Sequence, residues 1–352
     1  MKHQTTRYGE IPFYKIGTFG NTADAFISKK LFLEYKTKYS FPKKGDILIS
    51  ASGTIGRAVI YDGKPAYFQD SNIVWIDNDE TLVKNDFLFY AYSNVKWNTE
   101  HTTILRLYND NFRNTLIPLP PLNEQSAIAN ILSGLDRYLC ALDALILKKE
   151  GVKKALNFEL LSQRKRLKGF NQAWQKVRLG DIANYLTSNL SAKQITQQGK
   201  IKVYDVNNFI GYTDTTFISD KPYISIVKDG SVGRVRILPP KTNILSTMGA
   251  LIANHRTTTE FLFYLLSNFD FKNFTSGSII PHIYFKDYKE KTIFLPPLNE
   301  QSAIANILSA LDNEIASLKN KKRQFENIKK ALNHDLMSAK IRVLEKSVLQ
   351  QK

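Results

Sequence analysis

Over most of the chain apolar and polar residues change places in short runs, but twice they settle into a long stripe spaced 4, 3, 4, 3. The first stripe is Ile128, Leu132, Leu135, Leu139, Leu142 and Ile146; the second is Ile304, Leu308, Leu311, Ile315 and Leu318. That spacing leaves one narrow apolar edge on a helix, the seam of a coiled coil. Both stripes grow out of one repeated segment. LPPLNEQSAIANILSGLD, Leu119 to Asp136, returns as LPPLNEQSAIANILSALD, Leu295 to Asp312, with Gly134 against Ala310 as the single difference. Pro120 and Pro121, and again Pro296 and Pro297, hold the approach extended. Asn123 and Asn299 stand where helix N-caps belong, and Glu124 and Glu300 place negative charge at the positive end of the helix dipole. The match runs on to KKALN at Lys153 to Asn157 and at Lys329 to Asn333. Two helices of about 40 residues, roughly 60 Å each, are therefore expected. Sharing one seam, they are expected to pack on each other antiparallel, as a rod with a domain at each end.

Ahead of each helix lie β-branched runs and aromatic loops. Gly45 to Gly63 reads as strand, tight turn, strand, with Gly53 and Gly56 in the turn. Ser225 to Pro240 repeats it, with Gly230, Gly233 and Arg234 opposite Gly53, Gly56 and Arg57. FLFYAYSN, Phe87 to Asn94, matches FLFYLLSN, Phe261 to Asn268, as a short amphipathic helix; Tyr108 then stands opposite Tyr284, and Phe112 opposite Tyr288. Between these anchors the copies part. Gly63 to Asp79 has no convincing partner in Lys241 to Arg256, and TEHTTILR differs from NFTSGSII. A shared frame with unlike loops is what two readers of different targets require. The second region also opens with WQKVRLGDIANYL, Trp174 to Leu186, for which the first has no room. The fold expected is α+β: two mixed α/β units and two long antiparallel coiled-coil helices in a pseudo-two-fold repeat. Its boundaries are a first unit at 1–118, a spacer helix at 119–170, a second unit at 171–294 and a second spacer helix at 295–352.

The net charge of +17 suggests a polyanionic partner, most simply nucleic acid. Much of it sits on the helical tails: residues 148 to 168 hold eight Lys/Arg against two Glu, and residues 319 to 346 hold nine against three acidic residues. The charge supports nucleic-acid binding without locating it. No run of 18 apolar residues exists and MKHQTTRYGE is not a signal peptide, so a cytoplasmic protein with no membrane partner is expected. Cys140 is expected as a small buried helix residue.

Motifs of catalysis are missing. The sequence has no NPP[FY] or DPPY motif for amino-group methylation, no FxGxG loop and no GxxxxGK[ST] loop. GTIGR is followed by a strand rather than a helix, which makes it a hairpin turn. The histidines at 3, 101, 255, 282 and 334 lack metal-ligand spacing. No catalytic residue and no metal site is expected in this chain.

Two variable regions, each followed by an LPPLNEQ helix start and a long helix, with GTIGR or GSVGR upstream, resemble the specificity (S) subunit of type I restriction-modification systems. The resemblance covers essentially the whole chain. It implies that the variable regions are target recognition domains, each reading half of a split double-stranded DNA site, and that the coiled coil separates them. It also implies docking of two methyltransferase (M) subunits and of restriction (R) subunits. Adenine methylation with S-adenosylmethionine and cleavage with ATP and Mg would then belong to those partners, with no cofactor in this chain. A complex that only methylates, or a protein-binding scaffold, would be the alternatives. Side chains suited to base edges and phosphates are, in the first region, Lys43, Lys44, Thr54, Arg57, Gln69, Ser71, Asn72, Arg106, Tyr108, Asn109 and Asn111. In the second they are Lys228, Ser231, Arg234, Arg236, Asn243, Thr247, Ser278, His282, Tyr284 and Lys286.

Overall fold

A computed structural model describes residues 4–68, 72–97 and 106–344. The chain divides into two compact units, Met1–Asp143 with Asn320–Lys352, and Ala144–Lys319. The first contains β1 (Ile11–Tyr14), β2 (Ala25–Ile27), α1 (Lys29–Lys38), β3 (Ile47–Ser50), β4 (Ala58–Ile60), β5 (Tyr67–Phe68), β6 (Ile73–Trp75), α2 (Asn85–Tyr92), α3 (Asn109–Arg113) and the start of α4 (Leu122–Leu161). The second contains the rest of α4, then β7 (Gln175–Arg178), β8 (Ala183–Thr187), β9 (Ile201–Tyr204), β10 (Phe209–Thr213), β11 (Tyr223–Val227), β12 (Val235–Leu238), β13 (Asn243–Ile244) and β14 (Met248–Ala253). It continues with α5 (Thr259–Ser267), β15 (Thr275–Ser276), β16 (His282–Ile283), α6 (Phe285–Tyr288), β17 (Thr292–Leu295) and the start of α7 (Leu298–Met337), whose remainder returns to the first unit.

The sheets repeat. In the first unit β1 carries β2 antiparallel and β5 parallel, and in the second β9 carries β10 antiparallel and β13 parallel. The second sheet is β4-β3-β6 in one unit and β12-β11-β14-β8 in the other. β5 pairs with β1 as β13 does with β9, and β6 with β3 as β14 does with β11, although Gly63–Asp79 and Lys241–Arg256 share no sequence pattern. The fold thus corrects the expected mismatch: only backbone pairing and side-chain parity are kept, and neither demands matching residues.

Both long helices are 40 residues, as the stripes predict. Their starts need one correction. The amide of Gln125 donates to the Pro121 carbonyl, and that of Gln301 to Pro297, each at 2.9 Å, so each helix begins at the leucine before the asparagine. Proline has no N–H to leave unpaired and its fixed φ suits a helix start. Asn123 and Asn299 lie inside the first turn, each accepting from the following glutamate amide at 2.9 Å. The seam residues are all buried or half-buried. Cys140, expected to be buried, is exposed, because it stands one position past the seam residue Leu139 and is turned about 100° away from it.

Within each unit the two helical segments run antiparallel and are laced by ion pairs. In the first, Lys322 reaches Asp143 at 2.7 Å and Lys329 reaches Asp136. In the second, Lys149 reaches Glu314 at 2.7 Å, Lys319 reaches Glu150 at 2.6 Å and Lys153 reaches Asp312. Part of the basic surplus on the tails is thus neutralised within the helix pair.

The repeated Gln of LPPLNEQ is a buried clamp. Gln125 accepts from the Lys84 amide at 2.8 Å and donates to the Leu82 and Pro120 carbonyls at 3.0 and 2.8 Å. Gln301 accepts from the Thr258 amide at 3.0 Å and Thr257 Oγ1 at 2.9 Å, and donates to the Arg256 and Pro296 carbonyls at 2.9 and 2.8 Å. Each fixes the long helix to the loop that starts α2 or α5, closing cores such as Phe87, Tyr90, Ile128, Leu132, Leu336 and Met337 in the first unit. Among the described residues no helix is long and apolar enough to cross a membrane.

Candidate nucleic-acid interface

The turn between β3 and β4 needs glycine. Gly53 and Gly56 have φ of 71° and 81°, and Gly230 and Gly233, between β11 and β12, have 84° and 81°. A Cβ on Gly56 would lie 2.3 Å from Trp97 Nε1, and one on Gly233 would lie 2.7 Å from the Phe271 ring. An aromatic ring thus braces the same turn glycine in both units.

From the base of each turn the backbone binds two further segments. Ala51 takes the Asn72 carbonyl through its N–H and gives its own carbonyl to the Leu107 amide, both at 2.8 Å. Lys228 does the same with Thr247, at 3.1 Å, and with Ile283, at 2.9 Å. One residue on, Ser52 bridges Arg106 and Asp229 bridges His282. This frame gathers Thr54, Arg57, Asn72, Arg106, Tyr108, Asn109 and Asn111 about the first turn. About the second it gathers Lys228, Ser231, Arg234, Thr247, His282, Tyr284 and Lys286, with Ser278 in the adjoining β15–β16 connection.

The groups presented differ. In the first unit the Ser52 hydroxyl donates to Asn72 Oδ1 at 3.0 Å, and Arg57 Nη2 donates to Asn21 Oδ1 at 3.3 Å. In the second, His282 Nδ1 lies 2.7 Å from Asp229 Oδ1, the His282 and Tyr284 rings stack at 6.5 Å, and the Lys286 ammonium stands 5.5 Å over Tyr284. Tyr108 is 42% and Tyr284 50% exposed, large aromatic surface that the fold does not use. The Asn111 side chain accepts from the Tyr108 amide at 2.6 Å and so holds its loop rather than reaching outward.

Other residues picked from sequence stand elsewhere. Lys43 and Lys44 precede β3, at the end of the hairpin away from its turn; Lys43 pairs with Asp77 at 3.1 Å, and that hydrogen bond, with the charge behind it, raises the ammonium pKa. Arg236 lies on β12, donates to the Asn207 carbonyl and stacks 5.0 Å over Tyr204. Asn243 is 4% exposed, with its side chain used by Thr216 and Ile244, so it presents nothing to a ligand. Gln69 and Ser71 lie outside the described residues. Sequence reading passed over Ser52 and Asp229. Their signal was position alone, directly before the first turn glycine in each copy.

Donors and acceptors on a glycine-braced turn, beside a basic and aromatic loop, suit base edges and phosphates. The model of the type I restriction modification DNA specificity domain matches residues 1–149 and again 171–327. The chain belongs to this family. A Haemophilus influenzae protein named for a type I restriction enzyme specificity subunit is 65% identical over 133 residues, 38% of this chain and 34% of that protein, so the match spans about a third of that relative's length. The type I restriction enzyme MjaVIII specificity subunit of Methanocaldococcus jannaschii is 25% identical over 362 residues, 91% of this chain and 84% of that one. The crystal structure of the type I restriction-modification S subunit from M. genitalium has the same fold, with a TM-score of 0.64 and 20% identity over 96% of this chain and 91% of that chain. Membership in the specificity family accounts for the doubling: the domain model matches once for each unit.

Proposed function

We propose that this protein is the sequence-reading subunit of a type I restriction-modification complex, and that each unit reads one half of a bipartite double-stranded DNA site. The observation that supports it most is the frame at Ala51 and Lys228, which has one backbone geometry and carries Ser52, Asn72 and Arg106 in one unit but Asp229, Thr247 and His282 in the other. Identical supports with unlike donors and acceptors are what reading two different sequences demands.

In this reading the turn and loop residues meet base edges, while neighbouring Lys and Arg meet phosphates and fix register. Tyr108 and Tyr284 lay their faces against the sugar-phosphate edge. The long helices set the number of unread base pairs and dock two methyltransferase subunits, which restriction subunits join. Adenine methylation with S-adenosylmethionine, and cleavage with ATP and Mg, are carried out by those partners, and this chain supplies the address. Four residues inserted beside Lys148 add roughly 6 Å to α4. The insertion is expected to change the length of the unread spacer in the methylated motif and leave both half-sites intact; a changed half-site would refute the spacer role.

A further inference from the structure

Among the described residues the first unit has no counterpart of β7 and β8, although the surfaces these strands cover in the second unit do have counterparts. β7 pairs antiparallel with β17, Ile293 against Val177 and Phe294 against Lys176. The corresponding segment Thr115–Leu119 pairs with no strand among the described residues. Two of its apolar side chains are more open than their equivalents: Leu119 is 44% exposed against 4% for Leu295, and Ile117 is half-buried where Ile293 is buried. Behind it, Glu124 is only 6% exposed, yet among the described residues its carboxylate has no hydrogen-bond or ion-pair partner. The equivalent Glu300 accepts from Arg166 at 2.7 and 3.1 Å and from the Trp174 indole at 3.0 Å, and Trp174 directly precedes β7. A cleft of about 170 Å³ lies beside Glu124, lined by Pro118, Leu119, Ile128 and Arg342.

We propose that Thr115–Leu119 is a docking edge for a partner β-strand with the chemistry of Trp174–Asp181. Such a strand has an aromatic donor for the buried glutamate and then alternating apolar residues, as in Trp-x-x-Val-x-Leu-Gly-Asp. Pro118 fits this occupant. The Leu179 amide donates to the Lys291 carbonyl at 3.0 Å, which by antiparallel alternation makes Val177–Ile293 a bonded pair and Lys176–Phe294 an unbonded one. Pro118 stands where Phe294 does, so its missing N–H costs the ladder nothing. Ile117 and Leu119 keep the bonding positions. The docking strand stops short of a β8 equivalent carrying Tyr185, because Val74 stands where Gly249 accommodates that ring at 2.3 Å from an added Cβ.

The test is a labelled peptide, Ala-Trp-Gln-Lys-Val-Arg-Leu-Gly-Asp-Ile, titrated into the full chain by anisotropy, with melting followed in parallel. Saturable one-to-one binding and a raised Tm are expected. N-methylation of the peptide at the valine should weaken binding at least about tenfold, and at the preceding lysine no more than about twofold, since only the first removes a ladder donor. The protein is untouched in every arm, so misfolding cannot imitate the result. No saturable binding up to about 1 mM, or binding indifferent to which amide is methylated, would overturn the proposal.

Discussion

Lys329 places its ammonium on the carboxylate of Asp136, and the other oxygen of that carboxylate takes the Tyr90 hydroxyl at 2.8 Å. Lys329 also lies 5.6 Å from the Tyr90 ring centroid. Lys153, Asp312 and Tyr264 build the same arrangement in the second unit, with a hydroxyl distance of 2.8 Å and a ring distance of 5.8 Å. One lysine from the later part of a long helix therefore locks the start of the other helix to the short helix α2 or α5. The side chains have equal exposure in both copies, 27% for lysine and 38% for aspartate. Double-mutant cycles with Lys→Met and Asp→Asn should give about 1 kcal/mol of coupling in each copy, at the upper end for partly exposed pairs. Coupling in one unit only would show that the repeated geometry is not repeated energetics.

Gln301 is fully buried with its amide saturated, so Gln301→Leu leaves the Thr258 amide and two carbonyls without a partner. At about 1–3 kcal/mol for each orphaned group, the variant should lose several kcal/mol in urea denaturation. Exposed Gln324→Ala, by contrast, should stay within about 0.5 kcal/mol of the parent.

Alkaline stability should report the buried phenols. Burial pushes the Tyr223 hydroxyl up to about 12, and burial likewise raises Tyr92 and Tyr288. A folded value above the unfolded one gives stability that is complete below about pH 10 and lost as pH climbs toward the folded value. Melting temperatures should therefore fall above about pH 10, and less steeply in Tyr223→Phe. The Tyr92 hydroxyl is buried with no hydrogen-bond partner among the described residues, so Tyr92→Phe should be neutral or stabilising by about 1 kcal/mol at pH 7.

Much of this architecture was legible in the chain because helices and turns write themselves locally. The 4, 3 stripe predicts α4 and α7, and paired glycines predict both hairpins. The reason for the repeated Gln was not legible, since the Lys84 and Thr258 amides it binds lie 41 and 43 residues away. Nor were the parallel pairs β1–β5 and β9–β13, whose short strands meet across long loops with no shared pattern. The candidate site was half legible. Many of the residues chosen by chemistry lie on the two turns and the loops the frame brings to them, but chemistry alone also selected Asn243, which the fold buries.

Arg57 and Arg234 flank equivalent turns, so Arg57→Ala and Arg234→Ala should each relax recognition of one half-site. Removing a side chain that bonds a base edge should cost about 1–3 kcal/mol at the affected position and little elsewhere. Selection of bound duplexes by the assembled complex, compared base by base, would show this. A uniform loss across both halves would mark the arginines as phosphate-binding residues.

The most direct measurement is single-molecule sequencing of adenine methylation in a methylation-free host expressing this chain with the methyltransferase subunits proposed for it, beside the same host without the chain. The account predicts a split motif, two specified blocks separated by a fixed run of unspecified bases, present only with the chain. Methylation that is unchanged by the chain, or confined to one continuous motif, would contradict it.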